Sequence, residues 1–223
     1  ETVEGFQQPL SELGANLYSA ENIALWRSCA ASARALLQFA ANLRHFVSER
    51  PPKLVMCRMD KVVDEVIAAA VGRGAFPPEV KVERDYEEEP PVNRGDAEQL
   101  KFAVWQLLMN AVQAARDGGE VLARVFSADV DDAPAVVVEI MNTGAPIREE
   151  DARKAFEPFH GNTPGAAGLG LTLCRRVIAA HGGRIGIDRV EGWTRAGFFL
   201  PLDPRGRTAG RAAPPAGLKR ASG

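Results

Sequence analysis

Apolar residues recur at helical spacing through the first quarter of the chain and then give way to a mixed pattern. From Ile23 to Glu49 two adjacent rows share one side: Leu25, Cys29, Leu36, Phe39, Leu43 and Phe46, and next to them Trp26, Ala30, Ala33, Leu37, Ala40 and Val47. Steps of three and four predict one long helix with a wide apolar stripe, as a helix in a bundle needs. Residues 1–20 predict a shorter helix interrupted by Pro9, with a turn over Ser19 to Asn22. Pro51 and Pro52 end the long helix, because proline lacks the N–H and crowds the preceding turn. Asp60 to Val71 predicts a further amphipathic helix, and the acidic run Asp85 to Pro91 predicts a solvated loop.

From Gly95 the periodicity alternates between helical and strand-like. It predicts a helix over Ala97 to Arg116, strands over Val121 to Ser127 and Ala135 to Met141, and a helix over Leu171 to His181. Strands follow around Arg184 to Asp188 and Ala196 to Pro201. Helices interleaved with strands in this way read as an α/β sandwich with one sheet face covered by helices. The chain as a whole is therefore α+β: a helical hairpin over residues 1–52, an α/β sandwich over 53–203 and a tail over 204–223. The tail carries Arg205, Arg207, Arg211, Lys219 and Arg220 but too few apolar residues to fold, so it reads as flexible, basic and solubilising.

Composition narrows the classes. At 46% hydrophobic and 25% charged residues, the chain has the balance of a soluble globular protein. A formal net charge of −2 argues against a general nucleic-acid binder, whose affinity comes from cationic contacts to phosphate. No apolar run approaches the roughly 20 residues that span a bilayer, and no signal peptide is evident. Cys29, Cys57 and Cys174 are scattered and odd in number, which fits a reducing, cytoplasmic setting better than disulfides or zinc. A chain opening at Glu1 rather than Met is expected to be a fragment, whose full-length form could be membrane-tethered.

The candidate chemistry lies in the second half. Gly165, Gly168 and Gly170 open the helix that continues through Leu171 and Leu173. Glycine lets backbone approach a ligand closely, and a helix N-terminus offers unpaired N–H groups at the positive end of its dipole. Together they suit a phosphate. Upstream, Trp105 to Ala114 reads as a helix whose apolar side carries Asn110. Asn142 to Ile147, with Gly144 and Pro146, and Phe156 to Phe159 lie between the two.

In this order the segments resemble the ATP-binding domain shared by sensor histidine kinases, gyrase, the Hsp90 chaperones and the MutL proteins. Trp105 to Ala114 resembles that superfamily's N box, Asn142 to Ile147 its first glycine box, Phe156 to Phe159 its F box and Gly165 to Leu171 its second glycine box. The closing His181, Gly182 and Gly183 look most like histidine kinases. The resemblance covers about Gly95 to Leu202 and implies ATP and Mg2+ as cofactors. It implies nucleotide contacts from Asn110, Asn142, Gly144, Phe159, Gly165, Gly168, Leu169, Gly170 and Leu171, with Asn110 as magnesium ligand. Magnesium keeps several waters, so one side-chain oxygen plus phosphates suffices.

Departures matter as much. Gln106 stands where histidine kinases usually have Asn and gyrase-like enzymes a general-base Glu; an amide takes up no proton near neutral pH, so gyrase-like hydrolysis is not expected. Asn142 replaces the usual adenine-binding Asp, and losing the charge-assisted component lowers the expected affinity by about 1 kcal/mol, near fivefold. Pro146 replaces a glycine and removes one N–H. The lid from His160 to Pro164 has no lysine, and His160 is its only ionisable side chain.

The first two helices resemble the dimerisation and phosphoacceptor hairpin of histidine kinases, through Phe6, Gln7, Gln8, Pro9 and Leu10, and through Asn42 to Phe46 before the double proline. The acceptor position is then Glu4 and its acidic neighbour Gly5, so no phosphoacceptor histidine is visible. The resemblance implies a homodimer through the hairpin, forming a four-helix bundle, and a response-regulator receiver domain or a partner histidine kinase as interaction partner. Two readings follow: a protein-histidine-kinase-like phosphotransferase in two-component phosphorelay signalling, or a catalytically inactive pseudokinase acting as scaffold. A Ser/Thr-directed kinase of the anti-sigma-factor type shares the ATP fold but has no need of the long bundle helix.

Overall fold

The computed structural model describes residues 19–29, 50–144, 146–160 and 168–202. Residues 20–29 are helical, and Leu25 and Trp26 stand 62% and 64% exposed. Beyond Arg50 the elements run β1 (Val55–Arg58), α1 (Met59–Gly72), β2 (Lys81–Tyr86), β3 (Val92–Gly95), α2 (Ala97–Ala114), β4 (Glu120–Val130) and β5 (Ala133–Asn142). Then follow α3 (Glu149–Lys154), α4 (Gly170–Ala180), β6 (Arg184–Val190) and β7 (Trp193–Pro201). The five-stranded sheet has the order β2-β4-β5-β7-β6, with β2 parallel to β4 and the other pairs antiparallel. β1 and β3 form a separate two-stranded ribbon.

The core follows from period-two and period-3.6 patterns meeting. Along β5, Val136, Val138 and Ile140 point to the helix side and join Met59, Val63 and Ile67 of α1, Leu100, Val104, Leu107 and Leu108 of α2, and Cys174 and Ile178 of α4. The intervening Val137 joins Ala128, Ala135 and Phe199 on the other face. One face is therefore covered by helices, as the alternation implied.

On the open face Glu139, 1% exposed, lies between Arg195 and Arg124, each 3.2 Å away. Asp188 binds Arg195 and Asp85 binds Arg124. Burial pushes the Glu139 carboxyl up, and the two guanidiniums offset only part of that shift.

Three strands went unread in the sequence. β1 and β3 are four residues each, too short to show alternation, and β2 is polar at most positions. The acidic stretch also differs from expectation. Asp85 pairs with Arg124 across the sheet at 2.9 Å, Glu87 accepts from the backbone and hydroxyl of Ser127, and Pro90 and Pro91 are buried. A strand edge with unpaired N–H groups recruits the nearest carboxylate, so this run is partly structural. The remainder of the hairpin, including Glu4, and the tail fall outside the described residues.

Candidate nucleotide-binding site

Two helices build the site. α2 begins at an Asp96 cap and buries Gln106 at 8% exposure among Ala103, Leu107 and Ala111. Asn110, one turn later, is exposed. Gln106 is thus the buried polar residue of α2, and Asn110, on the same face one turn further on, is exposed. The start of α4 lies against Gln106 at Gly170.

α4 opens at Gly170, with Leu169 at the capping position, no side chain capping it and no acid in its first turn. A β-carbon at position 170 would lie 2.6 Å from Gln106 Oε1, so glycine lets the Gln106 side chain rest against the start of α4. Cys174 Sγ reaches the Ala103 carbonyl at 3.7 Å one turn further on. Complete burial pushes its thiol far up, which leaves it a packing residue.

The other boxes converge on the same region. Gly144 has φ of +119°, and a β-carbon there would meet the Ala114 carbonyl oxygen at 2.3 Å, so the first glycine box lies against the end of α2. Gly168, with φ of +63°, packs on the backbone of Phe159 and His160, where a β-carbon would approach to 2.7 Å. Phe156 is buried, as a core aromatic should be, whereas Phe159 is 78% exposed and holds φ of +62°. His160 Nε2 stands 3.8 Å from Asp151. Leu169 is buried and Leu171 half-buried. Gly165 lies outside the described residues.

Asn142 ends β5, is 5% exposed, and donates from Nδ2 to the Thr143 carbonyl at 3.1 Å. In the ladder it faces Thr194, itself buried, on β7. Sequence reading did not single out Thr194, since only the strand register reveals the pairing. Thr143 ties the loop to the sheet, its hydroxyl accepting the Glu120 N–H at 2.8 Å. Asp96 was also missed, although Asp immediately before an apolar-periodic helix is a capping signal.

A mixed sheet covered on one face by helices, with an uncapped helix N-terminus set through a glycine against Gln106 of a neighbouring helix, is an α/β sandwich with a candidate phosphate site. Residues 95–204 match the family model described as histidine kinase-, DNA gyrase B- and HSP90-like ATPase. The sensory histidine kinase/phosphatase NtrB of Rhodobacter capsulatus is 28% identical over 198 residues, covering 84% of this chain and 55% of that protein. AtoS of Escherichia coli, a signal transduction histidine-protein kinase, is 32% identical over 117 residues, 52% of this chain and 19% of its own. The chain spans about half the length of the NtrB relatives it matches. Among solved structures, the catalytic domain of histidine kinase ThkA aligns with a TM-score of 0.59 at 25% identity, over 70% of this chain and 99% of that one. These similarities identify the chain as resembling the cytoplasmic core of a sensor histidine kinase.

Proposed function

We propose that the chain binds Mg-ATP between α2 and α4 and uses it in two-component phosphorelay signalling, without a phosphoacceptor histidine at the expected position. The observation that carries the reading is the N-terminus of α4: uncapped, free of acid in its first turn, and closed against Gln106 through Gly170. Its N–H groups and dipole favour a phosphate. Asn110, exposed one turn beyond Gln106, offers one hard oxygen of the kind magnesium accepts. Bound magnesium supplies positive charge to the phosphate oxygens as the phosphoryl group departs. Asn142, Gly144, Gly168, Leu169 and Leu171 complete the nucleotide contacts, with Gly165 and Phe159 at the lid. Gln106 carries no carboxylate to act as general base, so the site favours transfer to a bound acceptor over hydrolysis.

The partner is a response-regulator receiver domain. ThkA, with which this chain shares its fold, has been solved in complex with the response regulator TrrA. The hairpin over residues 1–52 dimerises, and Glu4 marks the lost acceptor. No helix among the described residues is long and apolar enough to cross a membrane.

Calorimetry with Mg-ATP tests the site. Asn110→Ala is expected to weaken binding about tenfold, near 1.4 kcal/mol; no binding by either protein at millimolar nucleotide would make the site vestigial. Radiolabelled ATP tests the chemistry on the wild type, on Glu4→His, and on Glu4→His with Gly5→Glu. Label appearing only in the variants shows a competent site that has lost its acceptor. Acid-labile label on the wild type sinks the Glu4 assignment, and label on none leaves the scaffold as the better reading.

A further inference from the structure

Three parts of the chain meet at Asp96, which is 5% exposed. Its Oδ1 accepts the Gln99 N–H at 3.3 Å and caps α2. Its Oδ2 accepts both the Arg50 guanidinium at 2.7 Å and the Lys53 backbone N–H at 3.0 Å. Its own backbone N–H donates to His181 Nε2 at 2.9 Å, at the C-terminal end of α4. The Gln99 amide closes the ring by donating to the Arg50 carbonyl at 3.2 Å. His181 Nδ1 lies 2.8 Å from the Val177 carbonyl, so the ring accepts at Nε2 and donates at Nδ1.

This arrangement joins the segment leading into the domain to the far ends of both helices that frame the nucleotide site. α2 carries Gln106 and Asn110 further along, and α4, 11 residues and thus about 16 Å long, begins at Gly170. Helices are stiff along their axes and these two touch where Gln106 meets Gly170. A shift at either end of the pair is therefore felt at the other.

We propose that Asp96 is a positioning residue that couples occupancy of the nucleotide site to the docking of residues 50–53, and so sets how the ATP-binding domain is held against the segment preceding it. The inference rests on the nucleotide-binding reading above. Burial alone would push the Asp96 carboxyl up; the N–H groups of Lys53 and Gln99 and the Arg50 guanidinium outweigh it and hold the group ionised, the form in which both oxygens accept.

The two roles of the carboxylate separate chemically. Asn caps a helix as well as Asp does, so Asp96→Asn keeps an oxygen for Gln99. Its NH2 then replaces the oxygen that Arg50 and Lys53 share, and neither of those donors can bond to it. Arg50→Gln removes the guanidinium and leaves the cap untouched. Hydrogen exchange of the full chain, read at the Lys53 and Gln99 amides with and without Mg-ATP, is the test, alongside calorimetric affinity.

In the wild type Mg-ATP is expected to slow exchange at Lys53 several-fold. Asp96→Asn and Arg50→Gln are each expected to speed Lys53 exchange at least tenfold without nucleotide, with Gln99 unchanged. Both should still bind Mg-ATP, but Lys53 should no longer respond to it. Unchanged Lys53 exchange in both variants overturns the latch. A Lys53 response to nucleotide that is equal in wild type and Asp96→Asn, or absent from a wild type that binds, overturns the coupling. A wild type that binds no Mg-ATP overturns the nucleotide reading and the coupling with it, while the nucleotide-free exchange still decides whether Asp96 holds residues 50–53.

Discussion

Asn142 concentrates the conflict between what a residue does for the fold and what it does for a ligand. Its Nδ2 donates to the Thr143 carbonyl, which an aspartate could not do. Asn142→Asp would set a carboxylate against that carbonyl in a position only 5% exposed, costing about 1–3 kcal/mol in the nucleotide-free protein. The same change restores an ionised acceptor for an adenine amino group. The expected outcome is a lower melting temperature without nucleotide and about fivefold tighter Mg-ATP binding; calorimetry paired with thermal melts checks both, and weaker binding would show that the loop is built around the amide. Gly144 and Gly170 make a second contrast. At Gly144 a β-carbon meets backbone and φ is positive, so Gly144→Ala should cost about 2–4 kcal/mol. At Gly170 the obstacle is the end of the Gln106 side chain, which can swing away. Gly170→Ala should therefore leave the melting temperature nearly intact while weakening Mg-ATP binding several-fold.

Among the elements, α4 is held at its C-terminal end by one imidazole. His181→Ala would leave the buried Asp96 N–H without an acceptor, a loss of about 1–3 kcal/mol, whereas the exposed Arg175 nearby tolerates alanine within about 0.5 kcal/mol. Denaturant melts of the two variants check the difference; equal effects would mean that packing, not the hydrogen bond, fixes the helix. The strands behave differently. β5 lies between β4 and β7 and carries the inward Val136, Val138 and Ile140, so its identity was plain from a run of apolar residues. β2 sits at the sheet edge with four of its six residues exposed, and among the described residues its one strand neighbour is the parallel β4. Such a strand exists because β4 offers it hydrogen bonds, and nothing local announces it.

For the whole molecule, acid should act through opposed carboxyls. Asp96 is held below its ordinary value of 3.8, so the folded state binds that proton more weakly than the unfolded chain. Its contribution is complete above the ordinary value and is lost as pH falls through the lower folded one. Glu139 is raised above 4.5 by burial, so its contribution is present at low pH and lost as pH rises through the folded value. Asp96→Asn is expected to flatten the loss of melting temperature between about pH 5 and pH 3 relative to wild type; an unchanged slope would place the acid sensitivity elsewhere. Assembly belongs to this scale too. Leu25 and Trp26 lie largely exposed on the helical segment 20–29. A dimer through the hairpin would cover them, and Leu36→Glu with Leu43→Glu is expected to yield monomers by light scattering. A wild type that stays monomeric at high concentration would rule that out.

The sequence by itself determined the sandwich class, the two long helices of the ATP-binding domain, its central strands, and the order of the glycine-bearing segments. Those properties are local: apolar periodicity, proline stops and glycines at turns act within a few residues of themselves. It also supplied Gln106 and Asn142 as amides in place of the residues the resemblance implied. Tertiary structure alone decided that Gln106 is buried while Asn110, one turn on, is exposed, because that depends on where α4 begins against α2. It alone set Asn142 opposite Thr194 and brought Arg50 and Lys53 to Asp96, some 43 to 46 residues on. The physical reason is that a carboxylate's partners are chosen by proximity after packing, and packing is settled by the whole core at once.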